Sequence, residues 1–116
     1  MNDSQLSKIE KLLERGKPDD AQLEIAKLGP EYYKNAEYLY LRGKIFFSKK
    51  LYYLAIDAAL ISLEFSDNDK VYKLIAEIYS FLGNKELSKK LLDANVRKNT
   101  ITLLKDELSG IYRKET

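Results

Sequence analysis

Residues 36–69 read AEYLYLRGKIFFSKKLYYLAIDAALISLEFSDND, and this stretch decides the fold. It holds no proline or strand signal, and it predicts two helices, about Ala36 to Ser48 and Tyr52 to Phe65, joined by a turn of a few residues. Helices joined so tightly run antiparallel and approach closely only where small side chains occupy the crossing. Gly43 and Ala55 are placed to do this, with large residues filling the gaps beside them.

Outward from this stretch the same arrangement recurs in register. Ala21, Ala55 and Ser88 are small residues early in a second helix, 34 and then 33 positions apart, and Gly16, Lys50 and Gly83 hold the inter-helix turn at the same separations. Leu12, Phe46 and Tyr79 form a column of large residues, and Gly43 and Ala76 a column of small ones. The flanking segments read as helices too. Leu6, Ile9, Leu12 and Leu13 recur at helical spacing before Gly16, and Pro18 suits a first helical position ahead of Asp19 and Asp20. Further helices are expected from about Lys70 to Leu82, Lys85 to Lys98 and Ile101 to Arg113. One hairpin cannot bury both of its faces, so successive pairs stack into a continuous core and leave a concave groove.

The stretch from Ala36 to Asp69 resembles a tetratricopeptide repeat, through Leu39, Gly43, Phe46, Tyr52, Ala55 and Ala59. Tyr72, Ala76, Tyr79, Gly83, Ser88 and Leu92 match in the next unit, whose linker is one residue shorter. In the first unit Leu12, Gly16, Ala21 and Ile25 agree, while Gln5 stands where a large residue is usual and Ile9 where a small one is. None of the units has the family's usual proline near its end: Asp67 is there in the second, and Pro30 comes a few positions early in the first. The resemblance implies an all-α fold, a right-handed superhelical stack of antiparallel helix pairs forming a single domain over 1–116. Its repeats are expected at about 2–35, 36–69 and 69–98, followed by a capping helix at about 100–114. That last helix carries Ile101, Leu104, Leu108 and Ile111 on one side; Gly110, 34 positions after Ala76, leaves open that it begins a fourth repeat instead.

Proteins of this family usually bind proteins, with the first helix of each pair lining the groove. The resemblance places Leu6, Glu10 and Leu13 there in the first unit, Glu37, Tyr40, Lys44 and Phe47 in the second, and Lys70, Lys73, Glu77 and Phe81 in the third. Aromatics beside mobile charges suit a peptide-binding surface, because the rings bury area at small entropic cost while the charges set register. Each of these residues also has a plainer role open to it, Tyr40 and Phe47 packing under a neighbouring helix and the lysines solvating the surface. The pattern by which some members grip a terminal carboxylate is not met. Lys70 alone matches it, and Leu6, Glu10, Leu41 and Leu74 occupy the other positions. Nine tyrosines, six of them between Tyr32 and Tyr53, add support for an interface.

Composition narrows the chemistry. The 116 residues contain neither histidine nor cysteine, which removes the side chain that titrates nearest neutrality, thiolate nucleophiles, disulfides and the commonest transition-metal ligands. No cofactor or metal is expected. Glu10 with Glu14 and Asp19 with Asp20 are the nearest carboxylate pairs, and they read as a solvated face and a helix start, so the chain is expected not to be an enzyme. With 20 Lys and Arg against 18 Asp and Glu, the formal charge of +2 gives no basic stripe for nucleic acid; Lys49–Lys50, Lys89–Lys90 and Arg97–Lys98 are scattered among acids. The most apolar stretch, Leu54 to Leu63, is too short for a membrane span and contains Asp57 and Ser62. The polar start Met1-Asn2-Asp3-Ser4 has no secretory character, and the chain is read as cytoplasmic. The expected partner is a protein or peptide held in the groove, or another copy of the chain in an oligomerisation module.

Overall fold

The computed structural model describes residues 3–115, with side chains as far as Leu108, and among these residues it contains helices and no strand. The helices are α1 (Ser4–Glu14), α2 (Pro18–Ala26), α3 (Ala36–Ser48), α4 (Tyr52–Phe65), α5 (Asp69–Phe81), α6 (Lys85–Leu92) and α7 (Arg97–Glu115). Gly110 and Ile111 fall outside the described side chains.

Side chains start these helices at the expected places. Asp3 accepts the N–H groups of Gln5 and Leu6 at 2.9 and 3.2 Å, Asn35 that of Tyr38 at 3.0 Å and Asn84 that of Leu87 at 3.1 Å. Pro18 opens α2, with Asp19 and Asp20 in its first turn facing the positive end of the helix dipole.

The 34 and 33 residue period is written into the backbone. Gly16, Lys50 and Gly83 are the three positive-φ residues among those described, at 72°, 64° and 91°. Each closes the same turn. The N–H groups of Gly16, Lys50 and Gly83 donate to the carbonyls of Leu13, Phe47 and Ser80 at 3.1, 3.0 and 3.0 Å. The next N–H groups, of Lys17, Leu51 and Asn84, reach back five residues to Leu12, Phe46 and Tyr79 at 2.9, 2.9 and 2.8 Å. The carbonyls of Lys17, Leu51 and Asn84 then accept from Ala21, Ala55 and Ser88, which begins the following helix. The columns of turn, large and small residues are thus three copies of one hydrogen-bonded helix end.

The chain forms two compact units, one reaching Val71 and the other beginning at Tyr72. In the first, α3 packs along α4, α1 packs on α2, and both α1 and α2 pack on α3, so the first hairpin stacks on the leading helix of the second. Leu6, Ile9, Ala21, Ile25, Tyr38, Leu39, Leu41 and Ile45 make a continuous core there. Gly43, Ala55 and Ala59 are buried, as close packing of α3 on α4 requires. The buried Ser62 hydroxyl donates to the Ala36 carbonyl at 2.8 Å, tying the end of α4 to the start of α3.

A turn that the sequence reading did not contain joins α2 to α3. Pro30 opens a 3-10 turn, Pro30–Tyr32, and the rings of Tyr32 and Tyr33 each lie 6.1 Å from that of Tyr38. Three of the six clustered tyrosines are therefore taken up in building this elbow.

In the second unit α6 packs on α7, and Ala76, Ser88, Leu91, Ile101, Leu104 and Leu108 are buried. Here two boundaries depart from expectation. The helix expected to run from Lys85 to Lys98 stops at Leu92, and the one expected from Ile101 starts at Arg97. The cause is Asp93, which is extended (φ −93°, ψ 113°) and accepts the Asn95 N–H on its carboxylate at 2.9 Å and the Arg97 N–H on its carbonyl at 2.9 Å. A short polar side chain competing for nearby backbone groups ends one helix and starts the next. The Arg97 guanidinium then lies 4.2 Å from the centre of the Tyr72 ring.

Candidate functional site

Glu37, Tyr40, Lys44 and Phe47 recur at i, i+3, i+7 and i+10 on α3 and so share one face of that helix. All four are only partly buried. In the first unit Glu37 and Tyr40 meet Lys70, from the start of α5. Its ammonium pairs with the Glu37 carboxylate and lies 4.7 Å from the centre of the Tyr40 ring, while the Lys44 ammonium lies 5.6 Å from the same ring. One aromatic ring thus has two cations close to it and a carboxylate beside one of them. Helix geometry explains the placing: Glu37 sits in the first turn of α3, where a carboxylate is favoured, and Lys70 follows Asn68, whose side chain accepts the Lys70 N–H at 3.0 Å.

The cluster borders an open cleft of about 410 Å³ lined by Lys34, Glu37, Tyr40, Phe65, Asn68 and Lys70. Phe65, 45% exposed at the last position of α4, was not among the expected residues. Its one signal in sequence is an aromatic at a helix end, followed by Ser66 and Asp67 rather than apolar residues. Among the described lining residues two lysines and one carboxylate leave the cleft net basic.

The other expected residues divide. Phe47 packs edge-on against Tyr52, ring centres 6.1 Å apart, and is half-buried at the end of α3. Lys73, Glu77 and Phe81 follow one another at intervals of four on α5 and are all exposed, Phe81 at 63%. Leu6 is corrected: it is a core residue, 5% exposed, because α1 packs on both α2 and α3 and turns its Leu6–Ile9 stripe inward. Leu13 is half-buried against the same core, and Glu10 is partly exposed. Leu41 and Leu74, which stand where a carboxylate-gripping groove would carry polar groups, are buried.

No family model, curated protein or solved structure was found to match the chain. The likeness to tetratricopeptide repeats therefore rests on the residue columns, the three equivalent turns and the stacking within the first unit. No helix among the described residues is long and apolar enough to cross a membrane.

Proposed function

We propose that the chain is a helical-repeat scaffold of the tetratricopeptide type, which holds a partner polypeptide on the face carrying Glu37, Tyr40, Lys44 and Lys70 and catalyses no reaction. The observation that carries this reading is the Tyr40 ring, with the Lys44 and Lys70 ammonium groups close to it at the edge of an open cleft. A rigid aromatic with charges around it gives a peptide area to bury and a register to adopt. The exposed Phe81, with Lys73 and Glu77 on the same helix, supplies the same chemistry on α5. The absence of histidine and cysteine supports a binding role over a catalytic one, and the cytoplasm is the compartment proposed.

The test is affinity capture with the wild-type chain and with a Tyr40→Ala, Lys44→Glu, Phe81→Ala variant, both first shown by circular dichroism to fold. Partners held by the wild type and lost by the variant support the groove assignment. Partners retained equally by both refute it. Sedimentation over a concentration series accompanies the capture; a dimer that this variant dissolves would replace the foreign partner with a second copy of the chain.

A further inference from the structure

We propose that the groove between α6 and α7 receives an amphipathic helix with Lys or Arg along its polar flank, supplied by a partner protein. It shares no residue with the face proposed above.

Two helices packed side by side build the groove, about 720 Å³ in volume. From the α7 side it is lined by Val96, in the turn just before the helix, and by Thr100, Leu103 and Glu107 at i, i+3 and i+7 on α7. Seven residues of helix rise about 10 Å, enough to lie along two turns of another helix. From the other side Leu87 and Lys90 contribute, one turn apart on α6. The floor is the buried Leu104. Leu103 is 64% exposed, whereas Leu104 and Leu108, one and five positions further along and on the adjoining face, are buried. Beside the face buried within its unit, this side of the groove therefore offers two exposed apolar side chains, Val96 and Leu103.

Charge selects the occupant. Among the described residues Glu86, Asp93 and Glu107 border the groove against one cation, Lys90, which is itself 3.8 Å from Glu86. The described rim is net acidic on a chain whose formal charge is +2. An apolar floor with an acidic rim complements a helix with an apolar stripe flanked by basic residues. The field of the whole chain favours the opposite ligand, so local and global electrostatics make contrary predictions.

The experiment uses two synthetic helices with the same leucine stripe, one with a lysine polar face and one with a glutamate polar face, and reads their binding to the full chain by fluorescence anisotropy. The lysine peptide is expected to bind at least about tenfold more tightly. Leu103→Ser should weaken it by about tenfold, the loss of one buried leucine contact, while Tyr40→Ala leaves it unchanged. Glu86→Lys with Glu107→Lys should reverse the preference between the peptides; both side chains are exposed, so the fold is kept. Equal binding of the two peptides, preference for the glutamate peptide, or indifference to Leu103→Ser overturns the proposal. So does a dimer dissolved by Leu103→Ser, which would put a second copy in the groove.

Discussion

The ammonium of Lys70 lies 4.7 Å from the centre of the Tyr40 ring, although 30 residues separate them in sequence. The same ammonium pairs with Glu37, and both charged side chains remain about one-third exposed, at 39% and 32%. Solvent screening then limits the ion pair to less than about 1 kcal/mol, comparable to the cation–π contact at about 0.5–1 kcal/mol. A double-mutant cycle of Tyr40→Leu and Lys70→Met should return a coupling energy of about 0.5–1 kcal/mol in urea titrations. Strict additivity of the two substitutions would mean that ring and ammonium do not meet in solution.

Lys50 has the left-handed backbone of Gly16 and Gly83 while carrying a Cβ. That conformation crowds Cβ against its own carbonyl, so Lys50→Gly should stabilise the chain by about 0.5–1 kcal/mol, after allowing for the greater freedom of glycine in the unfolded state. The reverse holds at the other two turns. A Cβ added at Gly16 or Gly83 would meet nothing within 4 Å, so Gly16→Ala and Gly83→Ala should each cost about 1 kcal/mol from backbone conformation alone. Denaturant midpoints that move the same way for all three substitutions would contradict the equivalence of the turns.

Ala55 is wholly buried, whereas its neighbour Leu54 is 47% exposed. Enlarging a residue that sets the approach of α3 to α4 forces the helices apart, so Ala55→Leu should destabilise by about 1–3 kcal/mol or more. Leu54→Ala, with little packing to lose, should stay within about 0.5–1 kcal/mol. Thermal melts of the two variants compare them directly, and a tolerated leucine at position 55 would leave the small-residue column without its packing role.

What could be read in advance follows from which constraints are local. A helix end with a left-handed residue, and a helix crossing with a small one, each demand a residue type at a fixed place, so the hairpins around Gly16, Lys50 and Gly83 were visible as spacing. Even Lys50, which lacks glycine's freedom, was found through its distance from the other two. The joint at Asp93 was hidden, because Ala94 and Val96 continue an acceptable helical pattern and the break depends on one carboxylate taking a backbone N–H. Leu6 was misplaced because spacing tells which residues share a face but not which neighbour covers it; two helices packed on α1 put that face inside. The charged stripe of α3 was legible, whereas the addition of Phe65 to the cleft depends on the tertiary return of α4.

Asp57, on α4, has its carboxyl held above the usual 3.8, chiefly by burial and secondarily by the charge of Glu64, with Arg42 pulling in the opposite direction. An acid with a raised pKa in the folded chain binds its proton more tightly there than in the unfolded chain. Between 3.8 and the raised value the native state thus holds more protons, and this group makes stability fall as pH rises. Above the raised value its cost is fully present; below 3.8 both states are protonated and the cost is gone. Asp57→Asn should therefore raise stability at pH 7, with the gain over wild type shrinking as pH is lowered and disappearing below about pH 3.8. Other carboxylates titrate in the same range, but they are common to both proteins and cancel in the difference. Urea titrations of the pair at pH 7, 5 and 3 measure it, and a difference that grows as pH falls would reverse the sign assigned to Asp57.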